Sequence, residues 1–309
     1  MHASHNLSRS TAIGFTLLSA AMFGLATPAV KLCMTGVDPQ LAAGALYLGM
    51  GLALATAYLI DGARGNGIEA HERVWLGVSL ICGGLLAPWL IFWGLAHATA
   101  TATSLLANTE VVFSTLLARF LFGERYSGRL FFGVALILAG ALALGGFGGG
   151  AIELVPALAI IGACGFWGLD NNAMRKIAHA NASFVGATKG LVAGSTNVVI
   201  AIVCGAKLQP VHPLMGIGIV GALCYGLSFG LYVRGLRVLG AARTSAYYGT
   251  APFAGALAAL FILQEPVSPR LGIAAALMAA GVWLHLSEPH TPMGPHVIDM
   301  NEATESAGS

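Results

Sequence analysis

Charge is scarce in this sequence. Fifteen Lys and Arg and thirteen Asp and Glu make up 9% of 309 residues, where a soluble domain carries roughly a quarter. A chain so poor in charge cannot cover a globular surface with polar groups, which excludes a soluble enzyme or nucleic-acid binder. The formal charge of +2 comes from scattered residues and marks no basic patch, so no nucleic-acid partner is expected. Cysteine is sparse too. Cys33, Cys82, Cys164, Cys204 and Cys224 stand singly at or inside apolar runs, without C-x-x-C or finger-like spacing. They read as small buried hydrophobes. The nine histidines are scattered, and His290 and His296 fall in a polar, Pro-rich tail unsuited to a metal cage. H-E-x-x-H and a Walker loop are absent. No metal or cofactor is expected, and no enzyme activity; any driving force is a solute or proton gradient.

What the chain has is apolar length. Residues of the AVILMFWYC set make up 57%, and the mean hydropathy is +0.79. A helix crossing the hydrocarbon needs about 20 apolar residues. Ten such segments can be marked: 11–33, 40–60, 74–95, 101–121, 128–147, 154–175, 182–204, 212–233, 243–263 and 270–287. Polar and glycine-rich stretches punctuate them, at Asp61–Arg73, Gly145–Gly150 and Gln209–Pro213. The first segment is expected to be a retained span, because Pro28 sits inside any signal-peptide cleavage site and the run is long for an h-region.

Orientation follows from Lys and Arg. With a cytoplasmic N-terminus, that side receives Arg9, Arg64, Arg73, Arg119, Arg125, Arg129, Arg175, Lys176, Arg234, Arg237 and Arg243, and the other only Lys31, Lys207 and Arg270. Eleven against three is a positive-inside pattern that puts both termini in the cytoplasm. Lys189 is left within a span.

An internal repeat is legible at an offset of 141 residues. Gly94 meets Gly235, Thr103-Ser104 meets Thr244-Ser245, Thr109 meets Thr250, Glu124 meets Glu265, Ser127 meets Ser268 and Gly140 meets Gly281. A shorter echo pairs Phe23-Gly24-Leu25 with Trp167-Gly168-Leu169. Five helices per half is odd, so the second half enters the membrane upside down, the arrangement of secondary transporters that bind substrate near the midplane. The expected fold class is therefore an all-α membrane protein of ten transmembrane helices in two inverted-topology five-helix repeats. Residues 1–10 form a cytoplasmic segment, 11–147 the first repeat, 154–287 the second, and 288–309 a disordered cytoplasmic tail.

Leu121-Phe122-Gly123-Glu124-Arg125 with Ser127, its copy Gln264-Glu265-Pro266-Val267-Ser268, and the pair Thr109-Glu110-Val111-Val112-Phe113 and Thr250-Ala251-Pro252-Phe253 resemble the repeat motifs of EamA-type transporters. These belong to the drug/metabolite transporter superfamily. The resemblance implies a multi-pass protein of the inner membrane that carries a small molecule through a cavity lined mainly by helices 1, 3, 4, 6, 8 and 9. It also implies export of amino acids or related metabolites, as in YddG-like exporters, with a lipophilic cation, polyamine, nucleobase or sugar derivative as the alternative cargo. The chain departs from those at Glu110-Val111, where they have a Trp-Pro pair. A monomer and a homodimer are both compatible with it.

Charges inside the spans are the sharpest candidates, since each costs at least about 2.5–3.5 kcal/mol at the bilayer centre. Glu110, Asp170 and Lys189 either bind the charged ends of a cargo, relay a proton, or pair structurally. Asp170, Asn171 and Asn172 point about 100° apart and cannot share one cavity; one of them is expected to reach another helix, with Lys189 a candidate partner. Asn108 and Thr109 in helix 4 correspond to Tyr247, Tyr248 and Thr250 in helix 9. Pro28 and Pro252 can free a carbonyl for ligand or water, or serve packing alone. Trp89, Trp167 and Tyr225 can wall an apolar pocket. Glu124 and Glu265 are expected to cap or salt-bridge the helix that follows each, with Arg129 and Arg270.

Overall fold

The computed structural model describes residues 8–62, 67–123, 126–145, 152–207 and 211–287. The 288–309 tail, His290, His296, Glu124 and most of the glycine-rich connector lie outside the described residues. Among the described residues ten helices are long and apolar enough to span a bilayer: α1 (Arg9–Cys33), α2 (Pro39–Ile60), α3 (Ala70–His97), α4 (Ala100–Leu121), α5 (Gly128–Gly145), α6 (Leu154–Lys176), α7 (Ala182–Val203), α8 (Val211–Leu239), α9 (Arg243–Ile262) and α10 (Pro269–Leu286). At 1.5 Å per residue they are about 27–43 Å long, against a hydrocarbon core of about 30 Å. No strand occurs among the described residues. In lipid a helix satisfies its own backbone, and that requirement selects the architecture. Large apolar side chains such as Ile60, Phe120, Leu142, Val203 and Phe261 stand exposed around the bundle, as a lipid-facing surface requires. This is a multi-pass membrane protein.

Short polar side chains set the helix starts. Asp38 Oδ1 accepts from the amides of Gln40 and Leu41 at 2.9 and 3.1 Å, ahead of Pro39. Thr99 and Asn181 cap α4 and α7 in the same way. Backbones approach most closely where side chains vanish. A Cβ on Gly190 of α7 would stand 2.5 Å from Gly51 of α2, and one on Gly281 of α10 would stand 2.5 Å from the Gly133 carbonyl of α5.

Local structure recurs at the 141-residue offset. Thr103 and Thr244 donate to the carbonyls of Thr99 and Gly240 at 2.8 and 2.9 Å. Thr109 and Thr250 each donate to the carbonyl three residues back at 2.7 Å, and at those points α4 and α9 are interrupted, around Ala107-Asn108 and Gly249-Thr250. Ser127 and Ser268 accept from the amides of Leu130 and Leu271. Both α3 and α8 contain a π-helical stretch, Leu80–Leu86 and Gly221–Leu227, again 141 residues apart.

Candidate functional site

The π stretch of α3 packs behind the site and holds two of its side chains, Tyr47 and Asp170. Widening the helix disturbs the carbonyls that would otherwise bond one turn on, and neighbouring helices take them up. The Tyr47 hydroxyl of α2 donates to Gly83 O at 2.6 Å. Asn197 Nδ2 of α7 donates to Gly84 O at 2.9 Å, while its own Oδ1 accepts from Gln40. Gly83 has no room for a side chain, since a Cβ there would stand 2.0 Å from Asp170 Oδ2. In that space Asp170 of α6 accepts from Ser79 Oγ at 2.5 Å and, on its other oxygen, from Lys189 Nζ of α7. The pair is buried, with side-chain exposures of 7% and 13%.

The three polar residues of α6 diverge as the helical geometry requires. Asp170 turns to α3 and α7. Asn171 turns to α4, donating to Glu110 Oε1 at 2.7 Å and to Ser114 Oγ at 3.1 Å. Asn172 is buried, and its Nδ2 donates to the carbonyls of Ser114 and Gly168. Glu110 sits in the first turn of the second half of α4, after the break at Asn108. The amides of that half-helix end favour a negative charge there.

These groups border a cavity of about 320 Å³. Glu110, Asp170, Asn171 and Lys189 are its polar side chains besides tyrosine hydroxyls. Phe23 of α1, Tyr47, Trp167, Tyr225, Phe229 and Tyr248 are its aromatic ones, and Met50, Leu54, Met174 and Val185 are aliphatic. Phe23 is the hub of the rings, its centroid 4.8 Å from Tyr225 and 5.5 Å from Tyr248; Tyr47 stands 6.3 Å from Tyr225. The lining charges are two carboxylates and one ammonium.

Of the residues singled out in the sequence, Glu110, Trp167, Asp170, Asn171, Tyr225 and Tyr248 line this cavity. Asn108 and Thr109 are buried, bonded back to the carbonyls of Leu105 and Leu106. Thr250 bonds back to Tyr247 O, and neither it nor Tyr247 is a lining residue. Pro28 is buried inside α1. Pro252 lies in the first turn after the break in α9, where no helical donor is lost. Trp89 is 41% exposed and away from the cavity.

The lining also differs from the expected helix set. α2 and α7 contribute, through Tyr47, Met50, Leu54, Val185 and Lys189, and α3 stands behind them. Tyr47 was passed over; it is one of two tyrosines, with Tyr58, in the otherwise Gly- and Ala-rich α2. So was the run Gly226-Leu227-Ser228-Phe229-Gly230, which has the spacing of a hydrolase nucleophile motif. It lies within helical α8, not on a strand-to-helix turn, and Ser228 exchanges hydrogen bonds with Ser19 of α1. Glu265 does not cap α10. It accepts from the amides of Ala100 and Thr101 at 2.7 and 2.8 Å, closing the start of α4, because the loop after α9 folds over that end. Beside it, Lys31 Nζ donates to the carbonyls of Leu95 and, at 2.9 Å, Ala98 at the end of α3. Among the described residues no cluster of His, Cys, Asp and Glu could hold a metal ion.

The comparisons with known proteins agree with this architecture. A solved crystal structure aligns with a TM-score of 0.65 at 23% identity over 90% of this chain and 96% of its own, a likeness of fold. An uncharacterized transporter of Methanothermobacter thermautotrophicus is 28% identical over 70% of this chain, and the match spans 65% of that protein's length. A protein of Streptantibioticus cattleyicolor named as a probable terminal-alkyne amino-acid exporter is 28% identical over 89% of this chain and 93% of its own. The model of the EamA-like transporter family matches residues 10–146 and again 154–287. With nearly the whole chain covered by two matches, it belongs to the EamA-like transporter family, within the drug/metabolite transporter superfamily.

Proposed function

We propose that this chain is a secondary transporter that exports small metabolites, amino acids foremost, across the inner membrane by alternating access of two inverted five-helix halves. The observation that carries the reading is the cavity itself. Its lining comes from both halves, with Phe23, Tyr47 and Glu110 from one and Trp167, Lys189, Tyr225 and Tyr248 from the other. Intramembrane charges border it, and charges so costly to desolvate mark substrate and ion pathways in transporters. The hydrogen bonds repeated at an offset of 141 residues support two equivalent halves. The aromatic and aliphatic walls suit an apolar cargo body, and the Streptantibioticus exporter's name supports an amino acid.

In the positive-inside orientation the cavity runs from Glu110 to the α6–α7 turn at the cytoplasmic face, past Met174, Ile177 and Ala180. At the opposite face Lys31 ties α1 to the end of α3, and Glu265 ties the loop after α9 to the start of α4. This arrangement suits loading from the cytoplasm. The test is flux in proteoliposomes of the purified full chain with a labelled panel of tryptophan, phenylalanine, threonine, methionine, lysine, glutamate, a polyamine and a nucleobase. Saturable flux of several amino acids that compete with one another is expected. Movement of another solute and no amino acid overturns the cargo, and no flux of any solute overturns transport.

A further inference from the structure

We propose that the cavity recognises its cargo by a positively charged amine, held at Glu110 among aromatic faces, and offers no cation to the cargo's carboxylate. The inference rests on the transport reading above and deepens it by naming the recognised group. Three charged side chains border the cavity, and they are not equivalent. Lys189 is the one ammonium among the described lining residues, and it is already engaged: its Nζ lies on Asp170 Oδ2 while Ser79 holds the other oxygen. Detaching Lys189 for a cargo carboxylate would leave Asp170 buried and charged without a counter-ion, which low-dielectric surroundings oppose.

Glu110 differs. Its hydrogen-bond donor is the neutral amide of Asn171, and no ion pair to Glu110 occurs among the described residues. An amide orients a carboxyl group without supplying an opposite charge, so an ionised Glu110 has no counter-ion among the described residues, and a cargo ammonium would supply one. The rings of Phe23, Trp167, Tyr225 and Tyr248 line the same cavity, and the negative faces of aromatic rings attract cations, more so where water is sparse. Carboxylate and rings therefore favour the same partner, an ammonium. Met50, Leu54 and Val185 provide for an apolar body attached to it.

The consequence is a ranking that an amino-acid site with a paired carboxylate clamp would not show. A monocation should bind better than the zwitterion with the same side chain, and an anion should not bind. The experiment measures calorimetric binding to the purified full-length protein in lipid nanodiscs. Four probes share one ring: phenethylamine, phenylalanine methyl ester, phenylalanine and N-acetylphenylalanine. The two cations are expected to bind at least tenfold tighter than phenylalanine, and N-acetylphenylalanine not at all. Glu110→Gln is expected to weaken the cations at least tenfold and remove their advantage, with Glu110→Asp retaining part of it.

Phenylalanine binding as tightly as phenethylamine, or N-acetylphenylalanine competing equally, overturns the inference, as does failure of both cations to bind. These arms use the wild-type chain and decide the matter even if Glu110→Gln does not fold. The two readings fail separately. Amine flux without amino-acid flux overturns the amino-acid cargo and leaves Glu110 recognition standing. Amino-acid flux indifferent to Glu110→Gln and to N-acetylation does the reverse.

Discussion

Lys189 in α7 places its ammonium on Asp170 in α6, so the one basic residue among the described lining of the cavity is paired with a neighbour nineteen positions earlier in the chain. A buried pair is costly to form and more costly to halve. Asp170→Asn or Lys189→Met alone should each lower stability by about 3–5 kcal/mol, because one charge remains without its partner. The double variant should lose less than the sum of the two. Thermal unfolding in detergent across the full mutant cycle measures the coupling; additive losses would refute the pair.

Gly83→Ala should damage the same cluster from the other side. The new methyl would stand 2.0 Å from Asp170 Oδ2, and overpacking of this kind costs about 1–3 kcal/mol. Gly77→Ala on the same helix meets nothing within 4 Å and should be neutral or stabilising by up to about 1 kcal/mol. Equal melting temperatures for the two variants would sink the argument.

Tyr47→Phe removes the donor to Gly83 O and leaves a buried carbonyl unsatisfied, at about 1–3 kcal/mol. The ring remains, so the cavity keeps its shape. We expect a lowered melting temperature with cargo affinity within about threefold of wild type, or about 0.6 kcal/mol.

Glu265→Ala should release the first amides of α4 and cost about 0.5–2 kcal/mol, as loss of a helix cap does. Glu265→Gln keeps the acceptor, lacks the charge that favours a helix N-terminus, and should fall between. Hydrogen exchange at Ala100 and Thr101 reports this directly: exchange in the alanine variant no faster than in the wild type would show that the cap is not there.

Orientation has its own test in a native thiol. Cys204 is exposed at the end of α7, beside Lys207 on the face assigned outside the cytoplasm. With the other four cysteines changed to alanine, a membrane-impermeant maleimide should label Cys204 in intact cells. Labelling seen only in inverted vesicles would reverse the orientation.

Ten spans and their approximate ends were legible before any coordinates. The segment read as 40–60 is the helix Pro39–Ile60, and 182–204 is Ala182–Val203. Span 74–95 extends to Ala70–His97, and 212–233 to Val211–Leu239. The first gains mainly the polar first turn with His71, Glu72 and Arg73, and the second the polar last turns with Arg234 and Arg237, which hydropathy undercounts. These features depend on local composition set against a slab of fixed thickness, and a linear sequence carries that information. The divergence of Asp170, Asn171 and Asn172 was legible for the same local reason, the helical angle between neighbours.

Which neighbour each side chain meets was not. In a span apolar all round, no polar face marks which side looks inward, so Trp89 and Trp167 read alike, yet one is turned outward and the other lines the cavity. Lys189 on Asp170, Tyr47 on Gly83, and Glu265 on α4 rather than α10 join residues on different helices. Their meeting depends on where glycine lets two backbones close and on how a π turn rotates the rest of a helix. Local hydropathy set how many helices cross and where each begins and ends. The glycine crossings, made between residues far apart in the chain, decided that Lys189 is occupied and that Glu110 is the lining acid without an ion-pair partner among the described residues.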